Sequence, residues 1–441
     1  MKRMTFFFVS ACFVLMACWT GCGPEVITPS EKTEAAKEAG NNEPTGKEGT
    51  TEAAKEVGDA DASTPEETSE PLPEPTVEKG QEPTVPETVA EETPTEKDYV
   101  WPEKPTLGDP IKADPDKWTW VDIKGAKCGY GTDTGFAINP HTDTTVTQLL
   151  IHMQGGGACW SDSGLIGNCY GIQPTATNLK GYDAAKFKSD SSAQGTIKSF
   201  FFQRGNADNV FAKAHYVFIP HCTGDVYSGN AEVTFPNGKK MHFVGHRNMK
   251  LYFARIAATF PNLKHVVLTG SSAGGFGAAI NWGLVQFYFG DKVRVDLIDD
   301  SGPPMSPVGT RWQQWTTTWK TVMPPGCPAG CKTNIFDIIK HYDATMIQKG
   351  RKMAFLSTER DSVIRAFFGM LDANGDQFKT ALYKLLGDLD TINDLHYYVI
   401  PGNGHTMFSN ATSKTNSQNV KLTDWIKAMV TDDASWKSYH P

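Results

Sequence analysis

The chain lacks any run of about eighteen apolar residues, the length a transmembrane helix requires. Its apolar stretch near the start, Phe6–Met16, is too short to span comfortably and follows the basic pair Lys2 and Arg3. That pattern predicts an export signal over residues 1–23. Aromatic residues are almost absent from Glu25 to Lys97, a stretch rich in Glu, Thr, Pro, Ala and Gly. Such a segment cannot bury enough apolar surface to offset its ordering entropy, so residues 24–97 read as a disordered tether. Its loose duplications, Thr33–Glu38 against Thr51–Glu56, read as low-complexity drift and not as a folded repeat. No second cysteine pair accompanies Cys327-Pro-Ala-Gly-Cys331, so this pair reads as a short-loop disulfide and not as half of a zinc site, and no cofactor is expected. Nor is the chain strongly basic, and no nucleic-acid partner is expected.

The acidity that is present is local. The whole chain carries −8; Glu25–Lys97 holds 20 acidic and 6 basic residues, so −14, and Lys2 with Arg3 add +2, which leaves +4 for Asp98–Pro441. A mildly basic globular part is compatible with an anionic polymer as substrate. Residues 98–441 show no internal linker and read as one domain. Of the nine cysteines, Cys12, Cys18 and Cys22 fall in the signal region. Cys18 follows Ala17, and Cys22 follows Gly21. A cysteine after a small residue at the end of an apolar core resembles the bacterial lipobox, so Cys18 or Cys22 is the expected lipidation site. The expectation is an exported cell-envelope lipoprotein, at an outer membrane or the cell surface, touching the membrane only through its lipid. The remaining cysteines are even in number, which in an exported chain suggests disulfides. The candidate pairs are Cys327–Cys331, Cys159–Cys169 and Cys128–Cys222, and spacing alone leaves the connectivity open.

The stretch that organises the rest is Val266–Ala279, VVLTGSSAGGFGAA. A β-branched run breaks at Gly270 and gives way to a small-residue segment that reads as a helix. Strand, Gly-x-Ser-x-Gly, helix is the nucleophile-elbow pattern. It would hold Ser272 at a strained strand tip, with Gly270 and Gly274 where neighbouring backbones leave no room for a Cβ. The amide of Ala273 would then face the place where an oxyanion forms. The pentapeptide alone is a weak signal; its flanks and partners give it weight. Val146–Met153 reads as a core strand running into Gln154-Gly155-Gly156-Gly157-Ala158-Cys159-Trp160, where a glycine run turns amides outward. His215–Pro220 is another strand, ending in a loop where Asp225 and Tyr227 are candidates to line a pocket, with a solvated turn an equal account of Asp225. His246–Phe260 has helical periodicity.

Further strands read at Val293–Ile298, Met353–Ser357 and His396–Ile400. They end respectively in Asp299-Asp300, in Thr358-Glu359-Arg360-Asp361 and in Pro401-Gly402-Asn403-Gly404-His405. Chemistry at each strand tip, with helices between, is a doubly wound α/β pattern. The elbow fold orders its residues Ser, then Asp or Glu, then His. Ser272, Asp361 and His405 fit, with Asp300 the runner-up for the acid. Asp299 and Asp300 come one strand early and read as backing the sheet edge.

These segments together resemble the pectin acetylesterase family, which includes the Notum-type carboxylesterases. The matching stretches are Gln154–Trp160, Ile219–Gly229, Gly270–Gly275, Asp300-Ser301-Gly302 and Asn403–His405. The resemblance implies an α/β-hydrolase fold, with a mostly parallel sheet and helices on both faces, and metal-free serine ester hydrolysis. It implies Ser272 as nucleophile, Asp361 as acid, His405 as base, and Gly156, Gly157 and Ala273 as oxyanion donors. It also implies acetyl groups on a polysaccharide as substrate, pectin being an example. The alternatives are a longer acyl group on a lipid or an acylated protein, and an inactive surface-binding lipoprotein. The chain departs from the pattern at Gln154, where relatives often have an acidic residue. It departs again at Gly157-Ala158, where an aromatic residue is common.

The lipid anchor is testable directly. The mature protein should partition into detergent, and changing Cys18 and Cys22 together to Ser should release it. A double variant that stays membrane-bound contradicts the anchor.

Overall fold

The computed structural model describes residues 103–192 and 195–441. The expected signal, the tether, Cys18 and Cys22 lie outside the described residues. Eight strands form one sheet in the order β1-β2-β4-β3-β7-β8-β9-β10. They are β1 Thr119–Lys127, β2 Asp133–Asn139, β3 Gln148–Met153, β4 His215–Ile219, β7 His265–Ser271, β8 Arg294–Asp300, β9 Met353–Thr358 and β10 Leu395–Ile400. A separate hairpin pairs β5 (Ala231–Thr234) with β6 (Lys240–Phe243). From β4 to β10 every pairing in the main sheet is parallel. Only β2 runs against its neighbours.

The central strands are near-continuous apolar runs because both faces of the sheet are covered. Side chains alternate between faces along a strand. Leu149, Ile151, Val266 and Leu268 enter one core cluster, whereas Leu150 and Val267 enter another on the opposite face. The helices that cover the sheet are α1 (Ala184–Ser192), α2 (Gly245–Thr259), α3 (Ala273–Phe289), α4 (Arg311–Trp319), α5 (Phe336–Thr345), α6 (Ser362–Phe368), α7 (Asp376–Leu389) and α8 (Leu422–Val430). The stripe expected on α2 is buried at Met249, Tyr252, Phe253 and Ile256 and packs in the first cluster. Trp425, Ile426 and Met429 of α8 fill the second. No helix among the described residues is long and apolar enough to cross a membrane.

The cysteines pair as Cys128–Cys222, Cys159–Cys169 and Cys327–Cys331. Their Cα separations of 4.9, 5.1 and 6.2 Å fall in the range a disulfide needs. Periodicity had named β3, β4, β7, β8, β9, β10 and α2 to within one or two residues. It did not name the antiparallel pair β1/β2, the hairpin or α4. β1 is an edge strand, mostly half-buried or exposed, and its alternation is interrupted where its register with β2 shifts between Asp122 and Lys127.

Candidate active site

β7 ends at Ser271 and α3 begins at Ala273, so a single residue makes the turn. Ser272 has φ 58° and ψ −122°, a region that costs a non-glycine residue about 1–3 kcal/mol. The surroundings hold it there. Its amide donates to the Asp300 carbonyl at 2.7 Å, and its own carbonyl accepts from Gly275 at 2.8 Å. A Cβ on Gly270 would overlap the Gly274 carbonyl, and a Cβ on Gly274 would overlap the Met153 carbonyl. The turn closes only because both are glycine. Ala273 opens the helix, where amides have no intrahelical acceptor.

The glycine run after β3 lies against this elbow. A Cβ on Gly155 would come within 2.8 Å of the Ser271 carbonyl oxygen and 3.1 Å of Ser272 Cβ. Gly157, at φ 73°, has room for no side chain because the Thr175 carbonyl occupies the space. Gly157, Ser272 and Ala273 line one cavity. Gly156 is not part of that lining; its carbonyl accepts from Thr177 at 2.8 Å, and a Cβ on it would overlap Thr177 Oγ1 and come within 3.0 Å of His221 Nδ1. Burial pushes the His221 imidazole down to about 4, so it is neutral at pH 7.

His405 follows β10, and Asp361 follows β9. Backbone bonds between the two loops set them side by side: Arg360 N–H to Gly402 at 3.0 Å and Ser362 N–H to Asn403 at 3.1 Å. His405 Nδ1 lies 2.8 Å from Asp361 Oδ2 and 3.0 Å from Oδ1. Asp361 is fully buried and caps α6, accepting from the amides of Val363 and Ile364 at 3.0 and 2.9 Å. An ionised carboxylate accepts only, so Nδ1 carries the hydrogen and Nε2 is the basic nitrogen. Burial disfavours the imidazolium, but the charge and hydrogen bond of Asp361, with Asp300 adding to them, outweigh it and lift the His405 pKa above the ordinary value.

Asp300 does not meet the imidazole. Its fully buried carboxylate accepts from Ser271 Oγ at 2.7 Å, from Met407 N–H at 2.9 Å and from Phe408 N–H at 3.0 Å. It therefore ties the residue before Ser272 to the residues after His405. Ser301 Oγ adds a bond from Thr406 N–H at 3.2 Å. Asp299 is equally buried; burial pushes its carboxyl well above the usual range, eased in part by the Gly302 amide.

The loop after β4 differs from its expectation. Asp225 neither lines a pocket nor sits in a solvated turn. It is fully buried and accepts from Thr223 Oγ1 at 2.6 Å, Tyr227 N–H at 3.1 Å and Gly245 N–H at 2.8 Å. Tyr227 donates its hydroxyl to the Gln154 carbonyl at 2.7 Å and so props the glycine run from below. The residue of this loop that reaches the cavity is Val226.

The cavity beside Ser272 has a volume of about 30 Å³ and an almost wholly apolar lining. It is lined by Trp312, Trp315 and Trp319 of α4 and by Ile364, Phe367 and Phe368 of α6. None of these was singled out from the sequence. The spacing Trp312, Trp315, Trp319 is a helical i, i+3, i+7 stripe and was the available signal. A larger cavity of about 380 Å³, between the end of α3 and α5, is lined by neither Ser272 nor His405. No group of His, Cys, Asp and Glu among the described residues could hold a metal ion.

Residues 117–351 match the Pectinacetylesterase family. The chain belongs to the pectinacetylesterase family. Pectin acetylesterase 5 of Arabidopsis thaliana is 24% identical over 180 residues, covering 41% of this chain and 39% of the plant protein. The palmitoleoyl-protein carboxylesterase notum1a of Danio rerio is 27% identical over 191 residues, covering 42% of this chain and 35% of the fish protein. The match thus spans less than half of each curated relative. A structure of the Wnt deacylase Notum from Drosophila superposes with a TM-score of 0.51 at 15% identity, covering 73% of this chain and 94% of that one. That likeness supports the α/β-hydrolase-like fold.

The electrostatics of the pair can be measured. In a side-chain NMR titration His405 should titrate above the ordinary histidine value of about 6.5. Asp361→Asn removes the opposing charge and leaves burial dominant, so the value should fall below that of the parent. A parent His405 titrating below about 6.5 contradicts the assigned contact.

Proposed function

We propose that this pectinacetylesterase-family protein is a serine carboxylic-ester hydrolase, and that its substrate is an acetylated polysaccharide. The observation that carries the reading is the elbow serine held at positive φ, joined through β8 to a loop whose histidine is paired with a buried aspartate. Ser272 Oγ attacks the ester carbonyl while His405 Nε2 takes its proton. Asp361 holds the Nδ1–H and stabilises the imidazolium. Amides of Ala273 and of the Gly156–Gly157 run receive the charge that develops on the carbonyl oxygen. Collapse expels the sugar hydroxyl, which leaves with the proton from His405. Water, deprotonated by His405, then attacks the acyl-serine and releases acetate with Ser272 regenerated.

The polysaccharide substrate is drawn from the plant relatives, which are named pectin acetylesterases, and from the +4 of residues 98–441. Disulfides accord with an oxidising compartment. Export and attachment by a lipid on Cys18 or Cys22 belong to the same reading, with residues 24–97 as spacer and 98–441 as the enzyme.

Turnover of p-nitrophenyl acetate tests the mechanism. Ser272→Ala and His405→Ala should each lower it by at least about a thousandfold, with the double variant little worse than either, because residues acting as one unit lose activity non-additively. Asp361→Asn should cost about 10⁴-fold by favouring the wrong tautomer. Near-normal turnover in a folded Ser272→Ala variant contradicts the mechanism.

A further inference from the structure

The cavity beside Ser272 is small. Its volume of about 30 Å³ is roughly two to three times the about 10–15 Å³ that one water needs, room for a short acyl group. Part of its lining is α4, and α4 is pinned. The Trp319 indole N–H donates to the Cys159 carbonyl at 2.8 Å, and the Trp312 indole N–H donates to the Cys331 carbonyl at 3.1 Å. Both carbonyls belong to disulfide-bonded cysteines. The helix end is held again where Asn230 N–H donates to the Trp319 carbonyl at 2.8 Å.

Trp315 stands between these anchors. Its ring centroid lies 5.0 Å from Trp160, 6.0 Å from Trp319 and 6.2 Å from Phe368. Its indole nitrogen is buried without a hydrogen-bond partner among the described residues. Trp315 is therefore held by packing alone, and its removal opens space without breaking a hydrogen bond. Such packing is rigid when its neighbours are fixed, because interiors are close-packed.

We propose that the α4 tryptophans limit the acyl group to about two or three carbons, and that Trp315 is the specificity-determining residue. The proposal rests on the serine esterase reading of Ser272. An open apolar pocket would reward each added methylene by about fourfold in kcat/KM. A cavity of this size reverses that trend, because a longer chain outgrows it.

The test is kcat/KM of the purified protein for p-nitrophenyl acetate, butyrate and hexanoate. The parent should fall with chain length, by tenfold or more from acetate to hexanoate. Trp315→Ala should raise the hexanoate-to-acetate ratio at least tenfold, and Trp315→Leu, a smaller cavity less apt to unfold the protein, should raise it in the same direction. Thermal melting establishes that each variant is folded. A parent that hydrolyses hexanoate as fast as acetate overturns the size limit and leaves the esterase reading standing. An unchanged ratio in both folded variants overturns the role of Trp315. Absence of turnover on every ester overturns the esterase reading and the proposal together.

Discussion

The buried carboxylate of Asp300 is the joint on which the site depends. Four adjacent strands, β7, β8, β9 and β10, lead at their C-terminal ends to Ser272, Asp300, Asp361 and His405. Ser272 sits on a turn, and His405 on a loop with little regular structure, so neither fixes the other by itself. Asp300, at the end of a fully paired strand, accepts from Ser271 on one side and from Met407 and Phe408 on the other. A carboxylate away from water is tolerable only when hydrogen bonds replace its hydration. Here the replacing donors lie at the end of β7 and just after His405, the two segments that must be aligned. Without that acceptor each buried donor would be left unsatisfied, at about 1–3 kcal/mol apiece, and the histidine loop would lose its fixed register to the elbow.

A second economy lies in α6. Asp361 caps this helix with its side chain, and the same helix presents Ile364, Phe367 and Phe368 to the cavity. The carboxylate bonded to His405 and part of the lining of the cavity beside Ser272 thus belong to one short element. The other helix of the lining, α4, is hung from the carbonyls of Cys159 and Cys331. The Cys159–Cys169 bridge closes the loop that follows the glycine run, so that run and the tryptophans of α4 share a covalent support.

Much of this was legible in the sequence, and the exceptions have physical causes. The elbow was readable because Gly270 and Gly274 answer a steric demand that no other residue meets. The six parallel strands were readable because strands buried on both faces are unbroken apolar runs. Asp225 was misjudged because an acidic residue in a Gly-rich loop looks solvated; nothing in its neighbours announces that the distant Gly245 amide will bond to it. Asp300 was read as backing the sheet edge, but its partners at positions 407 and 408 are set by topology and not by spacing. The tryptophans of α4 fall between the strands that carried the chemistry, and their place in the same cavity as Ser272 is likewise a product of the fold. The family match ends at residue 351, short of Asp361, α6 and His405, so half of the site comes from geometry and not from similarity.

The most direct test of the central claim is covalent. Diethyl p-nitrophenyl phosphate transfers its diethylphosphoryl group to an activated serine and releases p-nitrophenol, and the adduct is read by peptide mass spectrometry. The account predicts one adduct per chain, on the peptide containing Ser272, formed at a rate that collapses in His405→Ala. Stoichiometric labelling at any other residue, or a folded protein that takes no label, would contradict it.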